Sequence, residues 1–361
     1  MTRPSQTQDI VKLRLRNQRL TRTAFRTPAD VVSWLGAVQS QDYPGAALAI
    51  GLRACGITAG DVGRAFDEGS ILRTHVMRPT WHFVAPADIR WLLALTGPRI
   101  KLVCAHYARW AGLDESIFTR SRKAIEKALR GGRDLTRAEI ALVLRRVGID
   151  VKGTDLAFVV LRMEIDAVIC SGPRRDKQFT YTLIDERVPA TKALTRDESL
   201  VELTRRYLTS HGPATVRDYV WWSGLTVRDA RAGIDMVRPA AEKAVIGDLT
   251  YWFVPSTERA LLRSPTVHFL PNYDEYVIAY KDRGSVRDET SPTLPLRQAF
   301  SHLLVIDGRI RGTWKRSLGP RGSAIEVRLL RPLSRHEIRA TAAEAERFGA
   351  FVNAPVTLNF V

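Results

Sequence analysis

The chain has 361 residues, 45% of them hydrophobic, enough for two or three packed domains and too much for wholesale disorder. Its 55 Lys and Arg outweigh 38 Asp and Glu, a formal net charge of +17 that calls for a polyanionic partner. No apolar run reaches the roughly 18–20 residues of a membrane span, and residues 1–9 are polar, without a secretory pattern.

Cys55, Cys104 and Cys170 are scattered and odd in number, which fits neither a disulfide framework nor a Cys-based zinc site. A cytoplasmic, nucleoid-associated protein is expected. Only ten of the basic residues are Lys. Arg forks bidentately to phosphate and guanine edges in a way that Lys cannot copy. GC-rich coding also enriches Arg, but that bias alone does not remove the acids that would balance it.

One local pattern recurs along the chain without a fixed period: capped helices followed by a two-stranded hairpin. In the first copy, Thr27-Pro28-Ala-Asp30 starts a helix with Pro at the first helical position. A second helix follows Pro44 and a third follows Thr58-Ala-Gly-Asp61. A hairpin is expected over 71–84, bending near Arg78-Pro79, with another helix after Ala85-Pro86-Ala-Asp88.

The second copy has a capping box, Thr136-Arg-Ala-Glu139, ahead of Ile140, Val143, Leu144 and Val147 at helical spacing, stopped by Gly148. A second helix is expected over 154–170. The turn Ser171-Gly-Pro-Arg174-Arg175-Asp-Lys177 then leads into a strand over 179–183, as a wing would. In the third copy His211-Gly212-Pro213 ends one helix, and Thr215-Val-Arg-Asp218 and Thr226-Val-Arg-Asp229 start the next two around Ser223-Gly224. This is helix-turn-helix punctuation. Strands over 244–246 and 249–254 flank Gly247-Asp248, a tight-turn pair.

From about Val267 the chain alternates: a hairpin over 303–315 turning at Asp307-Gly308, strands over 325–330 and 356–360, and one helix over 334–348. The fold class read from this is α+β, mostly α: tandem winged helix-turn-helix units with a C-terminal α+β cap. The units divide as 1–112, 113–190, 191–265 and a β-rich 266–361.

Four stretches in order resemble one family. They are Ala37-Val38-Gln39-Ser40-Gln41-Asp42-Tyr43-Pro44, the run from Arg73-Thr74-His75 through Met77-Arg78-Pro79 to Trp81-His82, Leu270-Pro271-Asn272-Tyr273-Asp274-Glu275, and Val305-Ile306-Asp307-Gly308-Arg309 with Gly312-Thr313-Trp314-Lys315-Arg316 behind it. Together they look like the tandem winged-helix DNA glycosylases of the AlkZ/YcaQ type, over nearly the whole chain. The resemblance implies a C-shaped stack of winged helices around duplex DNA. It also implies excision of N-alkylated purines, in some members with unhooking of interstrand crosslinks. The family's catalytic signature is Gln–apolar–Gln or Gln–apolar–Asp. Gln39 and Gln41 match the first form, with Ser40 as a departure in the middle, and Asp42 falls one place too late for the second.

The chemistry is coherent. Two residues apart on extended backbone, Gln39 and Gln41 project to one side, and a residue before Pro44 is biased toward extended backbone. N7-alkylguanine and N3-alkyladenine are already cationic and leave as neutral bases, so no strong general acid is needed. The remaining work is to place a water and stabilise an oxocarbenium-like sugar, which a preset amide dipole can do. The plainer alternative is that the two amides only tie a loop to its flanking helices.

Asp42 and Asp274 are candidate supporting groups. A helix N-terminal role is expected for Asp42, and for Asp274 and Glu275 an ion pair with an arginine such as Arg283, ahead of direct catalysis. Arg73, His75, Arg78 and His82 of the first hairpin are candidate DNA contacts or hydrogen-bonded structural residues. Arg174, Arg175 and Lys177 of the second wing and Arg309, Arg311, Lys315 and Arg316 of the last hairpin are candidate phosphate contacts. Tyr219, Trp221 and Trp222 read as core. No metal site and no cofactor are expected, since no third metal ligand joins the histidines and no phosphate loop stands out. The partner is duplex DNA, bound by a monomer. A winged-helix transcription regulator or a non-catalytic DNA binder is the alternative reading.

Overall fold

The computed structural model describes residues 4–21, 25–256, 264–287, 301–319 and 322–361. After α1 (Thr7–Asn17), the first unit runs α2 (Pro28–Leu35), β1 (Val38–Gln39), α3 (Tyr43–Gly51), α4 (Ala59–Glu68), β2 (Leu72–His75), β3 (Trp81–Val84). Past α5 (Ile89–Trp110) the second repeats this order as α6 (Glu115–Leu129), β4 (Leu135–Thr136), α7 (Arg137–Arg146), α8 (Gly153–Ile165), β5 (Ile169–Ser171), β6 (Thr180–Leu183). Short α9 (Ile184–Arg187) leads to the third: α10 (Arg196–Ser210), α11 (Val216–Ser223), α12 (Val227–Val237), β7 (Glu242–Ile246), β8 (Leu249–Phe253). Here an Ala214–Trp252 bridge takes the place of the first strand.

The first two sheets have one order, β1-β3-β2 and β4-β6-β5, so each unit is a winged helix. The rest comprises β9 (Val267–Leu270), α13 (Glu275–Ile278), β10 (Leu303–Ile306), β11 (Arg309–Gly319), β12 (Gly322–Leu329), α14 (Arg335–Val352) and β13 (Val356–Phe360). Its sheet is ordered β13-β12-β11-β10-β9, with only the β12–β13 pair parallel.

The helices begin where hydroxyls and carboxylates can satisfy their first N–H groups. Thr27, Thr58, Thr136, Thr195, Thr215, Thr226 and Ser334 each accept from the N–H three residues on, worth about 1 kcal/mol per cap. The expected helix over 154–170 stops at Ile165, because Ile169–Ser171 is drawn into pairing with β6. Strands β1 and β4 are two residues long, too short to leave an alternating pattern, and α6 completes the second unit without having been expected.

Three large cores hold the units. Val38, Ile50 and Phe83 of the first unit share one core with Phe269, Leu304, Trp314 and Phe348 of the C-terminal sheet and α14. Leu72, Val76 and Met77 of the first wing share another with Tyr207, Tyr219 and Trp222 of the third unit. The second unit has its own, around Ile125, Ile140 and Ile169. The first wing is therefore sandwiched, at about 1.5–3 kcal/mol per large apolar side chain buried. Gly224 makes the close approach possible: a Cβ there would lie 2.1 Å from the Met77 carbonyl oxygen, and its φ of +69° already favours glycine.

Candidate active site

The motif Gln39-Ser40-Gln41 leaves the end of β1. Gln39 pairs with His82 across the sheet, and the Ser40 N–H extends the ladder to the Trp81 carbonyl at 2.7 Å. Pairing with β3, not Pro44, makes this backbone extended. Pro44 lies in the first turn of α3, behind Tyr43, where its missing N–H costs nothing.

Gln39 is buried and Gln41 exposed. Both side-chain carbonyls are held by the β2–β3 hairpin: Gln39 Oε1 accepts from Arg78 Nη2 at 2.7 Å, and Gln41 Oε1 from the Trp81 N–H at 3.3 Å. Behind the motif, Glu275 Oε1 accepts the Gln39 backbone N–H at 2.9 Å, while its Oε2 accepts Trp222 Nε1–H at 2.9 Å. Burial would raise the Glu275 carboxyl, but His211, 3.4 Å away, and the Gln39 N–H hold it below its ordinary value.

Asp274, next in chain, is equally buried and serves a different purpose. Its carboxylate takes both Arg53 terminal nitrogens at 2.8 Å and caps α13 through the Tyr276 N–H. The ion pair expected for it is present, but with Arg53 in place of Arg283, which donates to the Val277 carbonyl. Arg53 is fully buried and also bonds Ala49 and Gln18. Its signal in the sequence is a lone cation closing the apolar run 46–52.

Asp42 is the N-cap residue of α3, as expected, yet its side chain makes no cap bond. It faces Asn272 instead: a Cβ on Gly45 would lie 2.8 Å from both Asp42 Oδ2 and Asn272 Oδ1. Asn272 donates its N–H to His302 Nδ1 at 3.1 Å. Burial lowers His302 and Asp42 partly offsets it. Both Asn272 and His302 line a cavity of about 560 Å³ with Thr313, Lys315, Glu326 and Arg328.

Three of the first unit's wing residues, Arg73, His75 and His82, lie below the surface. Arg73 is buried, donates twice to the Ser40 carbonyl at 3.0 and 3.1 Å, and stacks between Trp81 and Phe179. His75 is buried with Nδ1 2.5 Å from Glu164. His82 is wholly buried, bonded to the Thr80 carbonyl, and burial takes it down to about 3, a neutral ring. The burial of these three follows from the second and third units, which cover the hairpin that the sequence shows as free. Arg78 is half-buried and bound to the motif.

Arg174 pairs with Asp67, and Arg175 with Asp134 and Glu139. Lys177, Lys315 and Arg316 are exposed. Arg309 donates to the Arg287 carbonyl, and Arg311 lies 4.0 Å from Glu337. Tyr219 and Trp222 are core, whereas Trp221 is half-buried.

Three winged helices in tandem, on a chain of net charge +17, define a protein of the DNA-handling class. The chain belongs to the AlkZ-like DNA glycosylase family, described as "DNA glycosylase AlkZ-like", whose model matches residues 32–351. It is 24% identical over 322 residues to an "Interstrand DNA cross-link repair glycosylase" of Streptomyces sahachiroi, covering 84% of this chain and 85% of that protein. The solved structure of the Streptomyces sahachiroi DNA glycosylase AlkZ superposes with a TM-score of 0.82 at 21% identity, over 99% of this chain and 100% of the other. Among the described residues no helix is long and apolar enough to cross a membrane.

Proposed function

We propose that the chain is a monofunctional glycosylase that hydrolyses the N-glycosidic bond of cationic N-alkylated purines, N7-alkylguanine and N3-alkyladenine, in duplex DNA. Gln39 and Gln41 place the attacking water and stabilise the oxocarbenium-like sugar. The observation that supports this most directly is the fixing of Gln39, its N–H clamped by Glu275 at 2.9 Å and its carbonyl by Arg78 at 2.7 Å. A neutral catalyst works only through a dipole already in place, which costs no reorganisation during the reaction. Gln41, exposed two residues past the end of that strand, is the amide that solvent and substrate reach.

No general acid is required, because the alkylated base carries its positive charge into the site and leaves neutral. That fits a motif surrounded by a neutral His82 and a fully engaged Glu275. The name of the Streptomyces sahachiroi relative, a cross-link repair glycosylase, supports including crosslinked purines among the substrates. Exposed Lys177, Lys315 and Arg316 contact phosphates, and a single chain supplies the whole surface.

The test is single-turnover excision from a duplex carrying one N7-methylguanine, with DNA affinity measured at fixed salt. Gln39→Ala and Gln41→Ala are expected to bind DNA but lose about 10²–10³-fold in rate, as for removal of one fixed transition-state dipole. Wild type that binds duplex tightly and releases no base, or that excises uracil as readily, refutes the proposal.

A further inference from the structure

Trp221, on α11, stands among three cations, one from the β2–β3 turn and two from the segment after α13. Arg78 lies 5.7 Å, Lys281 4.7 Å and Arg283 5.8 Å from its ring centroid. The indole N–H is already spent on the Ile278 carbonyl at 2.8 Å. Lys281 is exposed and Arg283 half-buried. Arg78 donates to the Trp221 carbonyl at 3.3 Å as well as to Gln39, and its buried Nε has no hydrogen-bond partner.

Among the described residues, the carboxylates nearest the cluster also hold backbone or indole N–H groups. Asp218 Oδ1 accepts the N–H groups of Lys281 and Asp282 at 2.9 and 3.1 Å, and its Oδ2 lies 3.6 Å from buried Arg14. Glu275 serves Gln39 and Trp222, and Asp282 accepts the Gly284 N–H. Collecting three like charges around one ring is unfavourable, and cation–π attraction together with the Asp218 and Glu275 charges offsets part of it. An anion with several acceptor oxygens turns the same arrangement into a binding site.

We propose that Arg78, Lys281 and Arg283, gathered around Trp221, hold one backbone phosphate of the substrate strand, and that this phosphate prepares Gln39 for catalysis. The proposal rests on the reading that Gln39 acts at the sugar of a DNA lesion. In the free protein the Arg78 guanidinium fixes the Gln39 carbonyl but also places a positive charge beside the position where the sugar becomes positive. A phosphate on the other side of Arg78 neutralises that charge while leaving the hydrogen bond in place. Arg78 is then a positioning residue, and DNA binding itself supplies the counter-charge that the reaction needs. The bound phosphate also sets which sugar faces Gln39.

The experiment walks a single neutral methylphosphonate along the linkages flanking an N7-methylguanine in a duplex. Affinity and the single-turnover rate at saturating protein are read for wild type, Lys281→Ala and Arg283→Gln. Lys281 is exposed, so its truncation leaves the core intact. One linkage close to the lesion is expected to stand out in wild type, with affinity falling about tenfold, the value of a charge-assisted contact. The saturating rate falls at that same linkage. In both variants the sensitivity at that linkage shrinks while the other linkages respond as in wild type. Equal small losses at every linkage, or full sensitivity retained in both variants, overturn the phosphate site. A loss of affinity with an unchanged saturating rate overturns its coupling to Gln39. Affinity is read without turnover, so a protein that excises nothing refutes the glycosylase reading separately and leaves the phosphate site to be judged on binding.

Discussion

The hairpins that close the first and second winged helices have the same plan, a basic turn between short strands, and opposite surroundings. In β2–β3, Arg73, His75 and His82 are buried and Arg78 reaches the motif amide. In β5–β6, Arg175 and Lys177 remain at the surface and Arg174 only partly below it. The strands themselves do not make this difference. The third unit packs its Gly224 turn against Met77, and the second unit offers Glu164 and Phe179 to His75 and Arg73. A basic wing becomes a buried clamp on the Gln39 segment when neighbouring units cover it, and an exposed basic surface when they do not.

The contrast is broken or sharpened most forcefully on its buried side. Asp274→Ala leaves the Arg53 guanidinium, wholly enclosed, without its partner, and the unfolding free energy is expected to fall by roughly 3–5 kcal/mol. Asp134→Ala removes one partner of the exposed Arg175 and is expected to cost less than about 1 kcal/mol. Urea denaturation of the two variants side by side measures both, and equal losses would erase the distinction between the regions.

A more gradual effect, spread over several pH units, concerns protons. Burial takes His82 from its ordinary 6.5 to about 3, so below that ordinary value the unfolded chain binds a proton that the folded one refuses. Its contribution to stability is present above pH 6.5 and is lost as the pH falls toward 3, at about 1.4 kcal/mol per pH unit. His82→Gln is expected to reduce the acid-side slope of unfolding free energy by that amount. It does not abolish the slope, because burial also holds His268 at about 3. An unchanged slope would mean that the first wing opens to water before it titrates.

The smallest effect belongs to the exposed wing. Lys177→Ala is expected to weaken duplex affinity by a few-fold and to reduce the magnitude of the slope of log affinity against log salt by about one. The loss should be alike on lesion-bearing and plain duplex. A loss confined to the lesion duplex would place this wing in recognition and not in general phosphate contact.

Much of the fold was legible because it is written locally. Thr58, Thr136, Thr215 and Thr226 start helices wherever they stand, since each satisfies backbone N–H groups within its own first turn. The two-residue strands β1 and β4 were not legible, because nothing alternates over two positions. The motif amides were singled out through a resemblance, as amide spacing alone speaks more for a tied loop. Glu275 and Trp221 were read as an ion-pairing carboxylate and a core aromatic, and their local sequence permits both readings.

By itself the sequence determined three winged-helix units, a β-rich C-terminal end and a strongly basic chain, through interactions that span a few residues. Only the tertiary structure decided which wing is covered, which arginine meets Asp274 and what holds Gln39. Glu275 lies 236 residues from Gln39, and Arg53 lies 221 residues from Asp274. Contacts of that separation form only after the cores around them have closed, so their partners are selected by packing and desolvation and leave no pattern along the chain.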